Sequence, residues 1–238
     1  MLKEYLQLLI LDYLSGTHFI KKMSFIGGTY LRLVKGIDRF SEDLDFDCKE
    51  LSKKEFLEMT DNVMNFLERS GFHVSEKEKD SPKLSAFRRN IHFPQLMFDL
   101  GLSGYKEERF LIKIESQDQG IGYKSIIQNV KGCGFFFPLP VPTDEVMCSM
   151  KIAAMLSRSK GRDFYDLIFL LSQTRPDYDF LAKRSGIKNL HEFKKATRAI
   201  LKSVDLSKKQ RDFDHLLFNQ SKSDKILKFG EFIDSLTD

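Results

Sequence analysis

Between Asp43 and Asp47 every second residue is an aspartate, in the run Asp43-Leu44-Asp45-Phe46-Asp47. Successive side chains of a strand point to opposite faces, so a strand here sets the three carboxylates in one row and buries Leu44 and Phe46 behind them. Like charges at that spacing repel unless a cation sits among them, and hard oxygen donors suit Mg²⁺. Upstream, Gly27-Gly28-Thr29 ends a short apolar run and opens a helix-like segment. A glycine turn at the start of a helix exposes backbone N–H groups that bind phosphate. Metal-binding acids and a phosphate-binding turn in one stretch point to chemistry on a nucleoside triphosphate. The plainer alternative is a row of solvated aspartates, but Asp is depleted in strands and three in alternation would be unusual there. An EF-hand loop is a poor match, because its sixth position holds Cys48 instead of glycine and its twelfth holds Lys54 instead of glutamate.

The whole stretch from Phe25 to Asp47 reads FIGGTYLRLVKGIDRFSEDLDFD. Its Gly28-Thr29, the helix-like segment and Asp43-Leu44-Asp45-Phe46 resemble the signature of the DNA polymerase β type nucleotidyltransferases. With Arg39-Phe40-Ser41-Glu42 included, the longer form resembles the AbiEii/AbiGii toxin family within that superfamily. The resemblance implies that Asp43 and Asp45, joined by a third carboxylate from a separate strand, hold two Mg²⁺ ions at the α-phosphorus of an NTP. It also implies that Gly27, Gly28, Thr29 and Ser41 bind the phosphates. Two acids compete for the third place. Glu115 lies in Phe110-Leu111-Ile112-Lys113-Ile114-Glu115, where alternation buries Phe110, Ile112 and Ile114 and puts Lys113 and Glu115 on the opposite face. Asp99, in Phe98-Asp99-Leu100, is its rival. Glu115 matches the hydrophobic-acid pattern in the expected order, although a surface pair with Lys113 would account for it equally simply.

A second constellation, KIAAMLSRSKGRDFYDL, runs from Lys151 to Leu167. Thr143-Asp144-Glu145 caps a helix predicted to reach about Ser157, with acids in its first turn where the helix dipole favours them. Lys151 and Arg158 are two turns apart and share a face, and Asp163 and Asp166 share a face of the next helix. The simple reading is a salt bridge between helices, such as Arg158 with Asp166. The spacing, however, resembles the later motif of the same toxin family. That resemblance implies that Lys151 offsets the triphosphate charge, with Arg158 also at the nucleotide. Asp163 or Asp166 then orients Lys151 or contacts the nucleotide.

The elements that must position these groups are legible from pattern. The chain has 238 residues, 42% hydrophobic and 30% charged, as expected of a soluble globular protein. The opening segment is interrupted by Lys3, Glu4 and Asp12 and reads as an amphipathic helix, not a signal peptide, and no membrane span is expected. Three widely spaced cysteines without a CxxC pair fit a reducing cytoplasm. Ser52-Lys53-Lys54-Glu55 is a capping box opening a helix that Gly71 stops. Strands are expected around Phe72 to Ser75 and Leu84 to Phe93, the second carrying Arg88, Arg89 and His92. Prolines at 138, 140 and 142 mark a boundary, since they cannot continue a helix or a central strand. The expected fold is α/β: a nucleotidyltransferase-type mixed sheet with flanking helices over 1–142, then a mostly helical domain over 143–238 that completes the active-site cleft. In the latter, Phe193, Ala196, Ile200 and Val204 form an apolar stripe beside a basic row of Lys194, Arg198 and Lys202. After Ser172 there are 14 Lys+Arg against 10 Asp+Glu, so the chain's net +4 resides there and a nucleic-acid-facing surface is expected.

Taken together, the resemblance implies a cytoplasmic toxin of a toxin–antitoxin or phage-defence system, with a cognate antitoxin encoded beside it. Its activity would be transfer of a nucleotide from an NTP to an acceptor, the family pointing to a tRNA 3′ end or other RNA. A small-molecule or protein acceptor, and a non-catalytic module on the same fold, are the alternatives.

Overall fold

In the computed structural model, which describes residues 1–76 and 86–237, the chain divides into two compact units. The first comprises Met1–Val34, Glu42–Gly120 and Ser125–Val141, the second Lys35–Ser41, Ile121–Lys124 and Pro142–Asp238.

Alternating burial builds the sheet of the first unit. Its five strands are β1 (Met23–Ile26), β2 (Asp43–Cys48), β3 (Ser75–Glu76), β4 (Phe87–His92) and β5 (Leu111–Gln117), in the order β1-β2-β5-β4-β3. β2 runs parallel to β5 and the other pairs are antiparallel, so the sheet is mixed. Leu44, Phe46, Ile91, Ile112 and Ile114 are buried at every second position, and the residues between them form the opposite face. Burial of each such side chain contributes about 1.5–3 kcal/mol. The first unit also holds helices α1 (Leu2–Ser15), α2 (Gly27–Leu33), α3 (Lys53–Arg69) and α4 (Leu96–Asp99). The capping box of α3 forms as its sequence predicts, with Glu55 N–H donating to Ser52 Oγ and Ser52 N–H to Glu55 Oε2. Phe56, Met59, Val63 and Leu67 bury one face of α3, and the Phe56 ring meets Phe87 of β4 at 5.6 Å.

Two strand expectations change. Phe72 to Val74 are irregular, and among the described residues β3 covers Ser75–Glu76. The strand expected from Leu84 is described from Phe87 onward; Leu84 and Ser85 lie outside the described residues. The proline-punctuated run is itself a strand: β6 (Ile126–Gly132) and β7 (Phe135–Val141) pair as an antiparallel hairpin. Pro138 and Pro140 are two apart, so their missing N–H groups fall on one edge of a two-stranded ribbon, where no ladder bond is lost.

The second unit is helical, with α5 (Asp144–Arg158), α6 (Gly161–Leu171), α7 (Tyr178–Ser185), α8 (Leu190–Leu201), α9 (Leu206–Arg211) and α10 (Phe229–Ser235). Its core includes Phe164, Phe193, Phe213 and Phe229, with the Phe164 and Phe229 rings 5.0 Å apart. The segment 35–41 joins this core, Phe40 N–H donating to Leu216 O at 2.7 Å. The basic row on α8 is largely engaged within the chain. Lys194 Nζ donates to the carbonyls of Asp234 and Leu236 at 2.9 and 2.7 Å, and Arg198 pairs with Asp234 at 2.7 Å. Lysine at exposed helix-end carbonyls satisfies acceptors that lack intrahelical partners. Two of the three cations expected to await a nucleic acid therefore secure the end of α10. Among the described residues no helix is long and apolar enough to cross a membrane.

Candidate active site

The parallel pairing of β2 with β5 sets Asp45 opposite Glu115 and Asp43 opposite Lys113. Because Leu44, Phe46, Ile112 and Ile114 go to the core, Asp43, Asp45, Lys113 and Glu115 stand together on the other sheet face. The Lys113 ammonium lies 2.8 Å from Asp43 Oδ2 and 3.6 Å from Glu115 Oε2. β4 adds Arg88, the register partner of Glu115 and ion-paired with it. Arg89 points to the opposite face, where it is buried and bound to Asp61 and Glu76. Glu115, not Asp99, is the acid beside the aspartate pair: Asp99 is exposed at the end of α4. Asp47 departs from the row's other members in being buried, and it accepts a hydrogen bond from Gln119 N–H at 2.9 Å.

The donor set suits a hard divalent ion, since three carboxylates from two adjacent strands share one face and already attract a cation, the Lys113 ammonium. Among the described residues no three acidic, His or Cys side chains stand closed around one point, and the charge now between Asp43 and Glu115 is that of Lys113.

The glycine turn abuts this face. Gly27 has φ +83°, and a Cβ placed on it would run into the Asp45 carboxylate. Glycine is thus required twice, for a left-handed backbone and for the close approach of Asp45. Thr29 is buried, and its hydroxyl donates to the Asp43 carbonyl at 2.5 Å, fixing α2 against β2. Gly28 is buried at the same turn. Gly27→Ala is expected to cost about 1–3 kcal/mol in backbone strain and to push Asp45 off its position. Thermal unfolding should show a modest drop, while any activity that depends on the position of Asp45 falls by about a hundredfold or more through the misplaced carboxylate. Equal, small losses in both would show that the turn only folds the chain.

In the second unit the four ionic groups of the later motif sort into two pairs, Lys151 with Asp166 buried and Arg158 reaching from the surface to the buried Asp163. Arg158 grips Asp163 through two hydrogen bonds of 3.0 and 2.7 Å, and Asp163 also accepts from Lys160 N–H at 3.0 Å, so it caps α6. Lys151 Nζ donates to Asp166 Oδ2 at 2.7 Å. The simple expectation of Arg158 with Asp166 is therefore replaced by Arg158 with Asp163 and Lys151 with Asp166. Asp166 takes a second partner that spacing alone did not single out. Arg39 donates to both its carboxylate oxygens, at 2.6 and 2.8 Å, and its side chain is buried. Burial pushes the Asp166 carboxyl up, but the Arg39 guanidinium and the Lys151 ammonium outweigh it and hold the pKa below the ordinary 3.8. The neighbouring Asp38 accepts from Tyr165 Oη at 2.6 Å and pairs with Lys222. Ser41 is half-buried in the loop that leads to β2. The signal for Arg39 was its place in Arg39-Phe40-Ser41-Glu42, within the motif yet outside the alternating row.

Comparison with known proteins agrees with this fold. The family described as "Nucleotidyl transferase AbiEii toxin, Type IV TA system" matches residues 9–234. MenT4, a nucleotidyltransferase toxin from Mycobacterium tuberculosis H37Rv, superposes with a TM-score of 0.65 at 20% identity, covering 99% of this chain and 84% of that one. JHP933 from Helicobacter pylori superposes with a TM-score of 0.58 at 21% identity, covering 98% of this chain and 89% of that one. At such identities these structures speak to the fold. No curated protein matches.

Proposed function

The chain belongs to the AbiEii nucleotidyltransferase toxin family of type IV toxin–antitoxin systems, and from that premise we propose that it moves a nucleotide from an NTP to a hydroxyl of an RNA, a tRNA 3′ end being the acceptor class. The observation that carries the reading is the in-register placement of Asp43, Asp45 and Glu115 on one sheet face beside the Gly27 turn. Asp43, Asp45 and Glu115 would hold Mg²⁺, two ions if the full polymerase-type set forms, which when bound lowers the pKa of an acceptor hydroxyl and stabilises charge at the α-phosphate. Gly27 leaves the space that lets Asp45 approach the turn, and Thr29 fixes the height of Asp43. The backbone amides of Gly28 and Thr29, with Ser41, bind phosphate oxygens. Within the second unit the Lys151 ammonium is bonded to Asp166, which fixes its position. Asp163 holds Arg158 beside the start of α6. No covalent nucleophile is needed, because an acceptor hydroxyl displaces pyrophosphate in line.

The setting that follows is the cytoplasm, where NTPs and tRNA occur, with a cognate antitoxin opposing the activity. The test is to incubate the purified protein with Mg²⁺, each of the four α-labelled NTPs and total tRNA. Label should enter the RNA with at least one NTP, and should fail to enter it when EDTA is present from the start. Label appearing on a small molecule or on protein would replace RNA as the acceptor. No transfer to any acceptor would contradict the enzymatic reading.

A further inference from the structure

Lys113 is a cation built into a face whose acids suit a metal ion. Its position follows from β5: two residues before Glu115, it must share that residue's face, and parallel register sets it opposite Asp43. Its ammonium spans 2.8 Å to Asp43 and 3.6 Å to Glu115, taking one carboxylate from each strand. Arg88 approaches Glu115 from β4, and Asn90, the register partner of Lys113, carries no charge. All three acids and Lys113 are only partly buried, so the ammonium can leave without unfolding the sheet.

We propose that Lys113 is the resident cation of this carboxylate set: it holds Asp43 and Glu115 in register before metal arrives, and a divalent ion enters by displacing its ammonium. The inference rests on the reading of Asp43, Asp45 and Glu115 as metal ligands. A lysine suits the task because its charge is a point on a flexible stem, able to swing aside and remain on the same face. There the freed ammonium adds positive charge where the phosphates of an incoming NTP collect. Without it, three carboxylates would face one another across β2 and β5, and the ion-free sheet would carry that repulsion. The device ties loading to folding: the site forms empty, and it gives up its own cation only to a stronger one.

When Lys113 is removed, a salt bridge that only supports the sheet predicts unchanged or weaker metal binding, and a resident cation predicts tighter binding. Mn²⁺ binding, read by the loss of free-ion paramagnetic resonance signal in the absence of nucleotide, should be measured for wild type, Lys113→Met and Asp45→Asn. Lys113→Met is expected to bind Mn²⁺ roughly tenfold more tightly or better, since a competing charge is gone. In EDTA it should melt below wild type, and Mn²⁺ should raise its melting temperature by more than it raises that of wild type. Unchanged or weaker Mn²⁺ affinity in the folded variant would overturn the proposal. Lys113→Gln, which keeps a polar side chain, provides the same comparison if Lys113→Met fails to fold. Asp45→Asn separates the two layers of the argument. If it loses Mn²⁺ while the Lys113 variants bind as wild type, the metal site stands and the resident cation falls. If it binds Mn²⁺ as wild type does, the carboxylate reading itself falls.

Discussion

Asp45→Asn is expected to lower nucleotide transfer by about a thousandfold while the protein melts within a few degrees of wild type. The substitution keeps size and hydrogen-bonding shape and removes one negative charge from the set on β2 and β5. Charge stabilisation at a reacting phosphate is the largest single term such a site supplies, and loss of one preorganised partner costs about 10²–10³ in rate. Asp45 is half-buried and stands opposite Glu115, so the sheet gains relief from repulsion as it loses a proposed metal ligand. Asp47→Asn offers the contrast. That carboxylate is buried and bonded to the Gln119 amide, so its loss should appear in unfolding first. Steady-state transfer assays and thermal melts of both variants check the pair. Similar activity losses at the two positions would mean that the row acts as a solvated acidic face and not as a site.

Arg39→Met should destabilise the second unit by about 3–5 kcal/mol, because it leaves a buried Asp166 with one cation where there were two. For a chain of this size that corresponds to a fall of roughly 10 °C in melting temperature. The pH dependence follows from the direction of the Asp166 shift. Its pKa is depressed in the folded protein, so its contribution to stability is full above the ordinary carboxylate value of 3.8 and is lost as pH falls through the lowered folded value. With Arg39 gone the folded pKa rises, and acid unfolding should begin at higher pH than in wild type. Ellipticity followed from pH 7 to about 2 reads this directly. An unshifted acid limb would mean that Lys151 alone sustains the Asp166 charge. Arg39→Lys should recover little, since a single ammonium cannot bridge both carboxylate oxygens as the guanidinium does.

The legible part of this protein was its short-range periodicity. Alternation at Asp43-Leu44-Asp45-Phe46 and at Ile112-Lys113-Ile114-Glu115 fixes which side chains share a sheet face, because a strand has no other way to arrange them. The α3 capping box and the Thr143 cap are equally local. What pattern could not show is which strand lies beside which. That β2 runs parallel to β5, so that Lys113 meets Asp43, depends on chain path over about seventy residues. The partners of the buried ions were hidden for the same reason. Lys151 and Arg158 share a helix face with Asp163 and Asp166 both in reach, and the further partner of Asp166, Arg39, comes from 127 positions away. The β7 prolines stand in a two-stranded ribbon, where the rule against proline in central strands does not apply. The basic row on α8 was correctly placed in sequence, but its carbonyl partners at Asp234 and Leu236 come from α10, forty residues on.

The central claim, transfer of the nucleotide and not of a terminal phosphate, is tested most directly by the position of the label. One NTP accepted by the protein should be supplied in two forms, labelled at the α- or at the γ-phosphate, with Mg²⁺ and tRNA, for wild type and Asp45→Asn. The account predicts that α-label is retained on the RNA, that γ-label leaves as pyrophosphate in equal amount, and that Asp45→Asn does neither. Retention of the γ-label on the acceptor, or release of single phosphate without RNA labelling, would contradict it.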